Sequence, residues 1–294
     1  MTSLRATDPL VEPAVATPDV TGPSRRMPRI QPTVVMSVLV LAAALVAAFA
    51  PGVFTSYDPV AAIPADRLTP PSAEHWFGTD YLGRDLFSRT VYGSALSLQA
   101  ALVAVVFALV TGSAIGLLAG FVGGAVESIV MRLVDVLLAI PGILLSLAVI
   151  IVLGFGTVNV AIAVGVAAIA GFARLMRAEV IQVRTSVFVE AARASGARWY
   201  RVLFRHVLPH STGAVLVLAT LEFGTAVLSV SALSFLGFGA PPPTPEWGSL
   251  IAEGRSYLAT SPWLTALPGL VVVAVVLSAN RLGRAAGVRR KAKR

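Results

Sequence analysis

Glu190, Ala191, Ala192 and Gly196 open the one long polar run between strongly apolar segments in the second half of the chain, EAARASGARWYRVLFRHVLPH over residues 190–210. From residue 172 to residue 210 stand Arg174, Arg177, Arg184, Arg193, Arg198, Arg201 and Arg205, opposed only by Glu179 and Glu190. Strong helix formers fill the first half, and Gly196 breaks the pattern. A second helical run over 199–207 then meets Pro209, which cannot continue a helix. The pattern predicts helix, glycine turn, helix and proline stop, with one basic and one apolar face suited to docking on a partner. Glu222 is a different kind of candidate. It is one carboxylate in an apolar run, and an ionisable group at membrane depth costs at least about 2.5 kcal/mol, so it should face a partner or a water-filled path. An interfacial place at a shifted helix end is the alternative. Arg132 and Asp135 share a helix face three residues apart; they either pair with each other or reach the interface. His206 and His210 are four apart, but Pro209 between them disfavours a shared metal face. No metal site and no catalytic constellation is expected, since GxxxxGK[ST], HExxH and GxSxG are all missing from the sequence.

The elements that would hold these residues are membrane helices. The chain has 294 residues, of which 56% are hydrophobic and 13% charged; a soluble domain carries about 25% charged residues. The expected fold is an all-α polytopic membrane protein with six transmembrane helices. The spans are predicted at residues 33–54, 96–118, 129–152, 158–175, 213–235 and 264–282, each near the ~20 residues a bilayer helix needs. Cysteine is missing, which excludes disulfides and thiolate chemistry on this chain. The net charge of +8 marks orientation rather than nucleic-acid binding, because Arg and Lys gather in cytoplasmic loops.

Residues 1–31 read as a disordered cytoplasmic tail ending in Arg25, Arg26 and Arg29. Ala48-Phe49-Ala50 mimics a signal-peptidase site, but the apolar run exceeds the ~7–15 residues of a signal peptide. Residues 32–94 are expected to be the first span plus an extracytoplasmic loop. That loop carries Asp58, Asp66, Glu74, Asp80 and Asp85 against Arg67, Arg84 and Arg89. Thr79 or Asp80 could cap a short helix there, with Leu82, Leu86 and Phe87 on one face. Gly112, Gly116 and Gly120 recur at a spacing that lets membrane helices pack closely. Pro141-Gly142 predicts a kink. A rigid outside loop follows the fifth span, with Trp247 and Trp263 suited to the membrane interface. Residues 95–283 form the main transmembrane domain, and 284–294 a basic tail. Both termini, the Gly123 turn and the Glu190 segment are assigned to the cytoplasm, because a five-span topology would put the basic Glu190 segment outside.

The Glu190 segment resembles the EAA signature of prokaryotic ABC importer permeases: Glu190-Ala191-Ala192, Gly196, then nine residues on His206-Val207-Leu208-Pro209. Phe77-Gly78-Thr79-Asp80-Tyr81-Leu82-Gly83-Arg84-Asp85, Leu233-Ser234-Phe235-Leu236-Gly237-Phe238-Gly239 and Pro242-x-x-Pro245-Glu246-Trp247-Gly248 are similar to stretches of the dipeptide/oligopeptide/nickel permeases, their C-type subunit in particular. The resemblance spans residues 30–283. It implies a coupling helix between spans 4 and 5 that docks on a cytoplasmic ATPase, with Glu190, Ala191, Ala192, Gly196, Leu208 and Pro209 carrying that role. It implies as partners a second permease subunit, two ABC ATPase subunits or one fused ATPase, an extracytoplasmic binding protein and the lipid bilayer, in the prokaryotic plasma (inner) membrane. No cofactor is expected on this chain, and ATP and Mg would be used by the ATPase. Two departures stand out. Val230 occupies a place where the family often has Glu, and Glu222, two turns earlier, could offer a carboxylate on a neighbouring face. Asn280-Arg281-Leu282-Gly283-Arg284 continues into a basic ending where the family often has an acidic one. A gradient-driven secondary transporter would call for repeated halves and midplane charges, and only Glu222 qualifies. A membrane enzyme would need a catalytic constellation.

Overall fold

The computed structural model describes residues 32–291, with side chains to Gly287. The expected tail over 1–31, with its three arginines, lies outside the described residues, as do Lys293 and Arg294. Every regular element among the described residues is helical.

Helix α1 (Pro32–Phe49) ends before Pro51, five residues short of the expected boundary. Proline lacks the N–H and fits only the first turn of a helix, so it opens a 3-10 turn here. Helix α2 (Leu86–Val122) begins ten residues earlier than expected and runs for 37 residues, about 55 Å, well beyond a ~30 Å hydrocarbon core. Its cap is Asp85, not Thr79 or Asp80: the Asp85 carboxylate accepts from the Ser88 N–H at 2.7 Å. The short loop helix is therefore not formed, and Leu86 and Phe87 belong to α2.

The expected kinked third span is two helices, α3 (Gly124–Ala139) and α4 (Gly142–Leu153), bent by 98°. The cause is local. A proline pushes the preceding residue out of the α region, and Ile140 is extended at φ −89°, ψ 128°. Helix α5 (Thr157–Arg184) runs nine residues past its expected end. After the short α6 (Val187–Ala194) and α7 (Trp199–Val202), a π turn over Leu203–Val207 leads into α8 (Leu208–Phe235). Helices α9 (Trp247–Gly254) and α10 (Trp263–Lys291) complete the fold. Helix α10 carries the chain nine residues past the expected end of the last span, so most of the basic ending is helical.

Helices α2 and α5 form the central pair, and the glycine stripe is the reason. A Cβ on Gly112, Gly116 or Gly120 would sit 2.6 Å from the Ile169 carbonyl, 2.3 Å from the Ala173 carbonyl or 2.9 Å from the Val180 side chain. The absent side chains let the backbones touch, and dispersion then replaces the hydrophobic drive that lipid cannot supply. Residue numbers rise together along this seam, so α2 and α5 are parallel; the bent α3–α4 pair carries the chain back between them. Helices α8 and α10 are antiparallel, with Gly224 against Val276 and Asn280, and Gly283 against Thr220 and Leu221. The core between these four helices includes Ala101, Ala108, Phe172, Met176, Val227, Val230 and Val275.

Candidate functional site

At one end of the bundle, α6 and α7 form a hairpin. Gly196 makes the turn at φ +79°, a conformation that favours glycine. Val189 is fully buried and anchors α6. Glu190, Ala191, Arg193, Arg198 and Arg201 are exposed, Ala192 is half-buried, and Val187, Phe188, Trp199 and Phe204 present a large apolar surface, with Val187 81% exposed. Glu190 has no ion-pair partner among the described residues. The predicted proline stop is overturned. Pro209 lies in the first turn of α8, where a missing N–H is tolerated, and the Leu208 N–H reaches back five residues to the Leu203 carbonyl. The hairpin is therefore continuous with α8 through one π turn, and Leu208 is half-buried. His206 and His210 do not converge on a site: the His210 Nδ1–H donates to the His206 carbonyl at 2.7 Å, and its ring packs on Phe188 at 5.0 Å.

The same end is tied together by two ion pairs and a hydrogen bond to backbone. Arg177 Nε donates to Glu127 at 2.7 Å, Arg174 pairs with Asp135, and Arg184 donates to the Phe121 carbonyl at 3.1 Å. Asp135 thus pairs across helices, with Arg174, and not with Arg132 on its own helix.

Midway along α8, half-buried Glu222 lines a cleft of about 160 Å³ between α2, α4, α5 and α8. Thr225 and Ser229 follow it on the same face, and Ser146 of α4 stands opposite. Val230 is fully buried in the core, so Glu222 and Val230 serve different faces.

The opposite end of the bundle holds a charge network in which the loop charges Asp80, Arg84 and Arg89 meet the distant Glu253. Arg84 Nε donates to Asp80 at 2.6 Å, and Arg84 Nη2 reaches Glu253 at 3.2 Å. Arg89, with no exposed surface, meets both Glu253 oxygens at 3.1 Å and lies 3.6 Å from Asp80. Asp85 also holds His75 at 2.9 Å. Burial pushes the Glu253 carboxyl above its ordinary range, and Arg89 and Arg84 pull it back. Gly83 closes this loop at φ +80°, where a Cβ would collide with the Ile63 carbonyl. Trp247 is not interfacial as expected: it is 1% exposed, and its indole N–H donates to the Thr90 carbonyl at 2.9 Å. Glu246 caps α9 through the N–H groups of Gly248 and Ser249 and accepts from Ser97 at 3.0 Å. Burial raises its carboxyl too, against the Gly248 and Ser249 N–H bonds. Trp263 is half-buried beside Gly78.

Residues 112–291, which include the hairpin, α8 and the cleft carboxylate, match the family described as binding-protein-dependent transport system inner membrane component. The chain belongs to that family. This inner-membrane component is 44% identical over 239 residues to the dipeptide transport system permease protein DppC of Alkalihalophilus pseudofirmus, covering 81% of this chain and 78% of that one. It is 42% identical to the glutathione transport system permease protein GsiD of Pectobacterium atrosepticum, over 74% of this chain and 73% of that one. It is 42% identical to the di/tripeptide transport system permease protein DppC of Pseudomonas aeruginosa, over 81% and 80%. Among solved structures, a chain of the MetNI methionine ABC transporter matches with TM-score 0.53 and 21% identity, over 67% of this chain and 96% of that one. An amino acid ABC transporter matches with TM-score 0.55 and 16% identity, over 69% and 94%. These last two show the fold.

The inner-membrane component is thus an ABC importer permease, and its motif segments have physical roles in the structure. The Phe77–Asp85 stretch builds the loop that buries Asp80 and Arg84, and the Glu246-Trp247-Gly248 stretch seats α9 against α2. Glu253 and Arg89, which complete the network, lie outside the quoted motifs.

Proposed function

We propose that this permease forms half of the translocation pathway of an ATP-driven importer for di- or oligopeptides or a related small solute. Its relatives named for dipeptides, di/tripeptides and glutathione support the solute class. The observation that carries the coupling step is the α6–α7 hairpin: an exposed basic and apolar surface joined without a break to α8, which lines the cleft. A cytoplasmic ATPase grips that surface through Glu190, Ala191, Ala192 and Gly196, with Leu208 and Pro209 at its junction with α8. ATP and Mg²⁺ act on that ATPase, supplied as two subunits or one fused chain. The chain crosses a prokaryotic plasma membrane six times with both termini inside. The parallel α2–α5 pair supports this count, because the bent α3–α4 pair then serves as one crossing. A second permease subunit completes the pathway, and an extracytoplasmic binding protein delivers solute at the end where Asp80, Arg84, Arg89 and Glu253 are clustered.

The test is co-purification in detergent of wild type and a Glu190→Arg, Gly196→Trp variant with the products of neighbouring genes. The wild type should retain an ATPase and the variant should lose it. A wild type that purifies alone and moves solute in liposomes without ATP would point instead to a gradient-driven carrier.

A further inference from the structure

Glu222 is a carboxylate midway along a membrane helix, in a cleft, with no ion-pair or hydrogen-bond partner among the described residues. Such a group at membrane depth faces a partner or a water-filled cavity and marks a solute or ion path. Its surroundings narrow the choice. Thr225 and Ser229 follow at i+3 and i+7, so with Glu222 they form a polar stripe about 10 Å long on one face of α8. Their hydroxyls are also without partners among the described residues and can accept. Ser146 lines the same cleft, and its hydroxyl hydrogen is already shared between the Gly142 carbonyl at 2.9 Å and the Ala163 carbonyl at 3.3 Å, so towards a ligand it can only accept. The set is one anion and several hydroxyl acceptors. None of the residues lining the cleft is positively charged. An ammonium group presents three donors and no acceptor, which is the complement of this set.

We infer that Glu222, with Thr225, Ser229 and Ser146, forms a transient binding site for a solute's primary ammonium group, such as the amino terminus of a peptide. This deepens the proposed peptide-import function and rests on it. The free carboxylate end of the same solute finds no counter-charge in this cleft and must be met elsewhere. The small residues Gly142, Ala167 and Ala168 leave width beside the stripe, so the site reads the charged end and tolerates varied side chains.

The experiment has two arms on the full importer complex. In the first, the detergent-purified wild-type complex is treated with dicyclohexylcarbodiimide, and the adduct on Glu222 is followed by mass spectrometry. Dialanine should slow labelling about tenfold, and N-acetyl-dialanine, which lacks the ammonium, less than about twofold. Equal protection by both, protection by neither, or no labelling of Glu222 in the peptide-free complex overturns the inference. In the second arm, ATP-driven dialanine uptake into liposomes should fall about tenfold in Glu222→Gln and recover in part in Glu222→Asp. Uptake by the Gln variant within about twofold of wild type also overturns it. A wild-type complex that takes up no dialanine with ATP counts against the peptide-import reading itself, and the labelling arm still reads Glu222 directly.

Discussion

Arg89 and Glu253 meet across 164 residues of chain, inside a network that Arg84 and Asp80 complete. Buried ion pairs contribute little net stability when intact, because desolvation offsets the Coulomb attraction, but removing one partner strands the other charge. Glu253 serves both Arg84 and Arg89, with Asp80 as the remaining anion. Glu253→Gln should therefore destabilise the detergent-solubilised protein by about 3–5 kcal/mol, read as a large drop in thermal unfolding temperature. Arg89→Met combined with Glu253→Met leaves the Arg84–Asp80 pair neutral and should recover most of that loss. A single variant as stable as wild type would mean that the network is not closed in the membrane.

At the scale of elements, the α2–α5 seam sets how closely two helices approach. A side chain on Gly116 would sit 2.3 Å from the Ala173 carbonyl, and backbone cannot yield as a flexible side chain can. Gly116→Val should cost about 1–3 kcal/mol or more by overpacking and lower the yield of monodisperse protein in size-exclusion chromatography. Gly171→Ala on α5 is the control. A Cβ there meets nothing within 4 Å, so the change should be neutral or stabilising by up to about 1 kcal/mol. The helix spacing at 112, 116 and 120 was legible in the sequence because small residues at i, i+4 and i+8 share a face. The partner helix was not, because nothing local names what a face will meet. The π turn before α8 was equally hidden: the sequence shows that Pro209 interrupts an α ladder, and only the surrounding structure decides whether the chain stops or rewinds.

For the whole molecule, orientation follows from where the charges gather. The chain contains no cysteine, so single cysteines can be introduced on a silent background. Glu74→Cys and Ser195→Cys are both at exposed positions, on opposite ends of the bundle. In intact cells a membrane-impermeant maleimide should label residue 74 from outside, and residue 195 only after the membrane is permeabilised. The reverse pattern would invert the proposed topology and leave the α6–α7 hairpin unable to reach ATPase subunits.

By itself the sequence determined the membrane class, the approximate spans, the glycine packing face, the turn at Gly196 and the family resemblance carried by residues 190–209. These are properties of composition, of short periodicity and of motifs, all readable within a few turns of chain. The tertiary structure decided which helices pair, that α2 and α5 run parallel, that α3 and α4 break by 98°, that Trp247 is core and not interface, and that Arg89 finds Glu253. The physical reason is the same in each case. These outcomes depend on contacts between residues far apart in sequence, where apolar helices of similar composition are interchangeable until close packing and charge neutralisation choose among them.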